Sequence, residues 1–264
     1  YVLIATDYQG LGAGGIHQYS NAATNARDLI NAARAVGSMG LSGANKKAVV
    51  NGWSQGGGAV IAAASLKDYI ATTGTAFDGV DFVGFVALAP QDVEVLVPAA
   101  AETDEATAQK VLAGLEQSFS DNVFNFTHYA MVMWSLTAAY PDLQLTDIFT
   151  DDGAKTLTEI FTKKCMHSGA DTLNFNFGSN YKSLVKPQAD NAQAWAKRLR
   201  DASVMKEAPV APVIIYYGNK DVANPPVMGK LYQERRCAKG ANVGRVQLPG
   251  DQNHFTTPAR SEEH

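Results

Sequence analysis

One serine in this sequence lies in the setting that nucleophilic catalysis requires. Ser54 stands in Gly52-Trp53-Ser54-Gln55-Gly56, which fits the pattern G-x-S-x-G. Apolar residues before it predict a strand over 47–51, and small residues after it predict a buried helix over 57–66. Strand, motif and helix together form a nucleophile elbow, a strained turn that exposes the serine hydroxyl. A glycine-rich turn that only packs tightly would use similar residues, so the motif needs partners elsewhere in the chain.

Two further residues complete the set that an attacking serine needs. A serine hydroxyl is too weakly acidic to attack an ester unaided, so a histidine must take its proton and a carboxylate must orient the histidine. Around a nucleophile elbow the chain order is serine, acid, histidine. Asp221 follows the predicted strand 211–218, and His254 follows the predicted strand 243–248. Because the carboxyl ends of parallel strands border one crevice, we expect Ser54, Asp221 and His254 to meet there.

Each of these partners has a simpler interpretation as a loop residue. Asp221 could only cap the turn before Pro225, and Asp251 is a rival acid because it stands three residues from His254. The acid must reach imidazole Nδ1 while Nε2 faces the serine, which favours a residue at the end of the preceding strand. We therefore expect Asp251 to cap the turn at 249–250 or to face water. The other histidines are poorer candidates for the base: His17, His128, His167 and His264.

The elements that must position these residues alternate between strand and helix up to Pro90. A β-rich run opens the chain at 1–6, and apolar residues at helical spacing predict a helix over 21–36. Residues 81–89 are apolar nearly throughout, as is typical of a parallel strand covered on both faces. After residue 206 the pattern resumes with two strands and a helix at 228–237 between them. We predict an α/β fold with a doubly wound, mostly parallel sheet.

The stretch 104–203 breaks this alternation, with helical patterns and no convincing strand. Helices are predicted over 104–119, 128–140, 151–164 and 188–202, and a short strand or loop over 173–177. The block is inserted between core strands, so we divide the chain into a first core part at 1–90, a mostly helical cap at 91–205 and a second core part at 206–264. Met131 and Trp134 are expected in the interior of the cap, where they can also line an acyl pocket.

Composition narrows the classes of function. The chain has 264 residues, 46% of them hydrophobic, which is enough for one large α/β domain or a core with a cap. A net charge of −4 without a run of lysine or arginine does not favour a nucleic-acid partner. No apolar stretch is long enough to span a membrane, and no His/Cys cluster has the spacing of metal ligands. Cys165 and Cys237 allow either one disulfide or two free thiols.

Three stretches resemble the secretory lipase family, the lipase A-like α/β-hydrolases. They are Ala5-Thr6-Asp7-Tyr8-Gln9-Gly10, Gly52-Trp53-Ser54-Gln55-Gly56-Gly57, and Cys237-Ala238-Lys239-Gly240-Ala241-Asn242-Val243 with His254 beyond. The resemblance implies an α/β-hydrolase with a helical cap, usually secreted, that needs no cofactor. In that family the oxyanion hole is formed at positions that match Asp7 and Gln55, and the acid and base match Asp221 and His254.

Members of that family extend beyond both ends of this sequence, so we expect it to be a truncated form. We predict a serine-dependent carboxylic ester hydrolase that acts through an acyl-enzyme on a small-molecule or lipid ester, with contact to a lipid interface through the cap. The resemblance implies a secreted or extracytoplasmic location. The substrate pocket is predicted at Tyr8, Trp53, Met131 and Trp134. The alternatives are an α/β-hydrolase peptidase or amidase, and an inactive fragment that acts as a binding module.

Overall fold

The structure is a computed structural model that describes residues 2–12, 14–40, 46–72, 79–92, 96–202 and 207–261. The chain forms two compact units. The core unit comprises Tyr1–Gly15, Ser20–Leu96 and Ala202–His264, and the helical unit comprises Ile16–Tyr19 and Val97–Asp201.

A sheet of four parallel strands, in the order β1-β2-β3-β4, forms the centre of the core unit. The strands are β1 (Lys47–Trp53), β2 (Asp81–Leu88), β3 (Val213–Tyr217) and β4 (Val243–Gln247). The register aligns the end of β1 with the end of β2, since Trp53 lies opposite Leu88. All four strands therefore point their carboxyl ends to the same edge. The predicted α/β fold class is confirmed.

Helices connect the strands of the core unit and fill the helical unit. The described residues form α1 (Ala22–Ser38), α2 (Gln55–Ala64), α3 (Lys67–Ala71), α4 (Glu105–Ser118), α5 (Val123–Ala139), α6 (Asp151–Phe161), α7 (Met166–Phe177), α8 (Ala192–Asp201), α9 (Val227–Cys237) and α10 (Thr257–Ser261). Helix α2 is buried from Gly57 to Ala64, and its small side chains let α1 pack closely against it. Among these helices, none has the length and apolar character needed to cross a membrane.

Three helices of the helical unit begin at residues whose side chains cap them. Asp104, Asn122 and Thr150 each accept a hydrogen bond from the backbone N–H three residues on, at the starts of α4, α5 and α6. Such caps satisfy N–H groups that a helix leaves unpaired in its first turn. Helix α5 is almost entirely buried between residues 125 and 136, which makes it the centre of this unit.

Two predicted elements are wrong. A strand is predicted over 1–6, of which residue 1 lies outside the described residues. Residues 2–6 pair with no neighbour in the described part of the chain, and Leu3 is 97% exposed. A β-rich composition is not sufficient, because a strand is stabilised by its ladder of hydrogen bonds and by burial of one face. Residues 173–177 are the end of α7 rather than a strand or loop. Their alternating pattern resembles a strand, but Gly169, Ala170 and Leu173 are buried at helical spacing and Phe175 is 90% exposed.

Both cysteines are free and exposed in the structure. Cys165 immediately precedes α7 and Cys237 is the last residue of α9. Of the two states that the sequence allowed, the structure has the two free thiols.

Candidate active site

Ser54 occupies a strained turn between β1 and α2. Its backbone angles are φ 59° and ψ −118°, a region that residues with a side chain rarely adopt. Three backbone hydrogen bonds hold this turn in place. The Ser54 N–H donates to the Leu88 carbonyl at 2.9 Å, and the Ser54 carbonyl accepts from Gly58 N at 3.0 Å and Gln91 N at 3.1 Å. The predicted strand–turn–helix context of the serine is therefore present, with strain at the predicted residue.

Glycines allow the backbone segments of this turn to approach each other. A Cβ at Gly52 would overlap the carbonyl of Gly56, and a Cβ at Gly58 would overlap the carbonyl of Gln91. The G-x-S-x-G pattern predicts that bulk at residue 52 or 56 would strike the following helix, and the geometry agrees with this at residue 52. At Gly56 the added Cβ would meet only the Tyr8 hydroxyl, at an ordinary 3.7 Å. A Cβ at Gly57 would lie 2.8 Å from the Leu88 carbonyl, so the tight positions are 52, 57 and 58.

Ser54, His254 and Asp221 form one continuous hydrogen-bonded chain. His254 Nε2 lies 2.9 Å from Ser54 Oγ, and His254 Nδ1 lies 2.8 Å from Asp221 Oδ2. The histidine and aspartate side chains are only 6% and 1% exposed. An imidazole held by a carboxylate at Nδ1 has Nε2 available to accept the serine proton. The three residues that the sequence singled out are brought together.

The loop after β3 determines which carboxylate faces the histidine. Asp221 Oδ1 accepts hydrogen bonds from the N–H groups of Ala223 at 3.0 Å and Asn224 at 2.8 Å, which leaves Oδ2 for His254. Asp251 instead accepts from the side chain of Asn219 at 2.8 Å and is exposed. The geometry favours Asp221 as the orienting acid.

His254 is held from its backbone as well as from its ring. The indole N–H of Trp53 donates to the His254 carbonyl at 3.0 Å, and the two ring centroids lie 5.0 Å apart. Phe255 packs edge-on against the imidazole, with centroids 5.5 Å apart. Trp53 was predicted in the substrate pocket. That role stays a prediction, and the contacts described here place its ring beside the histidine.

The segment that carries Asp7 lies next to the elbow. The hydroxyl of the neighbouring Tyr8 faces Gly56, and Gln9 N donates to Asp28 of α1 at 2.9 Å. Burial, with a smaller contribution from the charge of Asp28, raises the pKa of Tyr8 to about 12. Gln55 is the first residue of α2, where backbone N–H groups point outward and favour a negative charge. The oxyanion roles of Asp7 and Gln55 remain predictions.

The two predicted pocket residues of α5 are buried inside the helical unit. Met131 and Trp134 are both among its buried side chains. The ring of Trp134 packs against the ring of Phe161 in α6, with 5.6 Å between the ring centroids. Their role toward an acyl chain stays a prediction. Within the described residues, no group of three or more His, Cys, Asp or Glu side chains could hold a metal ion.

One residue of the site was not found from the sequence. The side chain of Asn224 donates to the Ala89 carbonyl at 2.8 Å and lies 3.4 Å from Ser54 Oγ. In the sequence Asn224 is an asparagine before Pro225, which predicts only a turn. Its side-chain hydrogen bonds are with residues more than 130 positions away in the chain.

The chain has the α/β-hydrolase fold. Its sheet is parallel, a serine lies at a strand–helix turn, and an acid and a histidine follow the third and fourth strands. Solved structures of an esterase and a lipase have the same fold as this chain. The esterase LipA from Xanthomonas oryzae, described as degrading rice cell walls, superimposes with a TM-score of 0.69 and 19% identity, over 97% of this chain and 67% of LipA. Lipase A from Candida antarctica gives a TM-score of 0.64 and 18% identity, over 91% of this chain and 52% of that one.

A protein from Legionella pneumophila also matches, with a TM-score of 0.70, 14% identity, and coverage of 97% of this chain and 66% of its own. The chain spans about two thirds of the length of LipA and about half that of lipase A. At these identities the likeness establishes the fold. No family model matches the sequence, and no curated protein matches it.

Proposed function

We propose that this protein is a serine-dependent carboxylic ester hydrolase. The observation that carries the proposal is the hydrogen-bonded chain from Asp221 through His254 to Ser54, with Ser54 on a strained strand–helix turn. The names of two structural neighbours, an esterase and a lipase, support an ester substrate. A peptidase could use the same three residues, so an assay must distinguish cleavage of an ester from cleavage of an amide.

The first half of the reaction forms an acyl-enzyme. Ser54 Oγ attacks the acyl carbon of the ester while His254 Nε2 takes the hydroxyl proton, and the carbonyl oxygen becomes an oxyanion. We assign the N–H groups of Asp7 and Gln55 to this oxyanion, and each such donor contributes roughly 3–4 kcal/mol in a comparable enzyme. When the intermediate collapses, His254 returns the proton to the departing alkoxide. The alcohol leaves and the acyl group remains on Ser54.

The second half hydrolyses that acyl-enzyme. A water molecule gives its proton to His254 Nε2 and attacks the acyl carbon. The bond from the acyl carbon to Ser54 Oγ then breaks, and Oγ recovers the proton. The products are a carboxylic acid and the free serine. Asp221 keeps the Nδ1 proton in place and stabilises the charged imidazolium in both halves.

We further propose that the helical unit selects the substrate. Its main segment, Val97–Asp201, lies within the stretch 91–205 that the sequence predicts as a cap, and its apolar interior includes Met131 and Trp134. Such an interior suits the acyl chain of an ester, because small-molecule sites are mostly apolar. From the family resemblance we also propose that this unit contacts a lipid interface and that the protein is secreted.

The test is covalent labelling with a fluorophosphonate, followed by mass spectrometry and p-nitrophenyl ester turnover. Wild-type protein should be labelled at Ser54, and folded Ser54→Ala should lose both labelling and turnover by several powers of ten. Ser38→Ala, which alters an exposed serine at the end of α1, serves as the control and should retain both. Substantial ester turnover by folded Ser54→Ala would refute the mechanism. Cleavage of a matched amide at a rate approaching that of the ester would instead identify a peptidase or amidase, because an esterase leaves the less reactive amide essentially intact.

A further inference from the structure

Asn224 links the loop of the acid to the nucleophile. Its side chain is 8% exposed, and its Nδ2 donates to the Ala89 carbonyl at 2.8 Å and to Ser54 Oγ at 3.4 Å. Its own backbone N–H donates to Asp221 Oδ1 at 2.8 Å. Asn224 therefore contacts both the acid and the serine, and the mechanism proposed above assigns it no role.

The Ala89 carbonyl fixes the direction of the Asn224 amide. Ala89 follows β2 with φ 44°, and its N–H donates to the Tyr216 carbonyl at 2.9 Å, so its own carbonyl is held in place. An asparagine amide carries two N–H bonds in one plane. Ala89 accepts one of them at a short distance, and the second is directed toward Ser54. The amide orientation is assigned by this pairing, because the opposite flip would place the amide oxygen against the Ala89 carbonyl, which can only accept.

A donor at Ser54 Oγ restricts how the hydroxyl can point. The hydroxyl has one hydrogen to give and two lone pairs that accept. With its hydrogen directed to His254 Nε2 and one lone pair directed to Asn224, the remaining lone pair is the one available for attack. An interaction of 3.4 Å is long in the resting state, and catalytic hydrogen bonds commonly shorten when charge develops.

We propose that Asn224 is an auxiliary catalytic residue that donates a hydrogen bond to the nucleophile oxygen in both halves of the reaction; this inference rests on the proposed esterase function. As the proton leaves Ser54 Oγ for His254, negative charge grows on Oγ and the Asn224 bond becomes charge-assisted, hence stronger. In the acyl-enzyme the same oxygen is the leaving group of deacylation. The donor then stabilises its departure from the acyl carbon before Oγ regains the proton.

The test replaces Asn224 by leucine, which has nearly the same shape and no donor. Since charge-assisted hydrogen bonds are the stronger kind, Asn224→Leu should lower kcat/KM on a p-nitrophenyl ester by about tenfold to a hundredfold. The loss should be in kcat, with KM and the acid limb of the pH profile unchanged, because His254 and Asp221 keep their mutual contact. Val222→Ala is the control in the same loop, since that side chain is 65% exposed, and it should retain wild-type rates.

Two results would overturn the inference. One is a folded Asn224→Leu protein with wild-type kcat. The other is a loss accompanied by a shifted acid limb, which would mean that Asn224 acts only by supporting Asp221 and His254. If Asn224→Leu does not fold, the smaller Asn224→Ala decides by the same two measurements, kcat and the acid limb, because it also removes the donor. Wild-type protein that neither reacts with fluorophosphonate nor turns over ester would refute the esterase proposal itself, which separates the two failures.

Discussion

Replacing Asp221 by asparagine tests the arrangement of the site most directly. Two backbone N–H groups, from Ala223 and Asn224, donate to Oδ1 of the carboxylate. In Asp221→Asn the amide oxygen must stay on that side, because the alternative orientation would set an NH2 group against two donors. The amide NH2 would then face His254 Nδ1, which lies 2.8 Å from the oxygen it replaces.

This orientation forces the histidine into the wrong tautomer. A donor opposite Nδ1 makes that nitrogen an acceptor, so the ring proton moves to Nε2, 2.9 Å from Ser54 Oγ. An Nε2 that already carries a proton cannot take another from the serine. The corresponding change in a serine protease costs about four powers of ten in kcat, which is about 5.4 kcal/mol of transition-state stabilisation. We expect a loss of similar size for Asp221→Asn.

The comparison variant is Asp251→Asn, whose carboxylate contacts Asn219 and is exposed. It should lose less than about tenfold, because an exposed hydrogen bond away from the reacting atoms contributes little. Both variants are measured by kcat/KM on a p-nitrophenyl ester, with circular dichroism to confirm folding. A larger loss for folded Asp251→Asn than for folded Asp221→Asn would refute the assignment of the acid, while leaving Ser54 and His254 in place.

Other side chains can be tested in the same protein. Replacing Trp134 or Met131 by alanine should change the ratio of kcat/KM for palmitoyl and acetyl esters by about tenfold, and an unchanged ratio would exclude both from the acyl site. Thiol titration in denaturant without reductant should find both Cys165 and Cys237 free, and a disulfide would contradict the structure. Burial raises the pKa of Tyr232 to about 12 from 10.0. The folded state thus holds this proton more tightly, so about 3 kcal/mol of stability is present below pH 10 and is lost as the pH rises to about 12. Tyr232→Phe should remove that part of the alkaline slope of the unfolding free energy, and an unchanged slope would disprove it.

The parts of this site that the sequence predicts are those specified locally. The elbow at Ser54 is contained in a strand, a five-residue motif and a helix, each with its own pattern. The order of Asp221 and His254 follows from strand ends that a parallel sheet must bring to one edge. The preference for Asp221 over Asp251 also came from a geometric requirement on the imidazole, and the contacts of Asn219 agree with it.

The parts that the sequence did not predict depend on contacts between distant segments. Asn224 reaches Ser54 across 170 positions of sequence, and no local pattern distinguishes it from an ordinary turn residue. The alternating pattern of residues 173–177 is also compatible with a strand. In the structure these residues belong to α7, in which Leu173 is buried together with residues at helical spacing. In both cases the deciding interaction is tertiary, which local propensity cannot encode.

The strain at the site explains why so many contacts converge there. Ser54 and Ala89 both adopt positive φ, at 59° and 44°, and each such residue costs about 1–3 kcal/mol. The carbonyl of Ser54 is held by Gly58 and Gln91, and the carbonyl of Ala89 by Asn224. These hydrogen bonds stabilise a strained backbone that would otherwise relax. They are made by carbonyl groups close to the Ser54 hydroxyl. The contacts that offset the strain are therefore also the contacts that fix Ser54 Oγ against His254, so that loosening one should weaken both the fold at this turn and the chemistry.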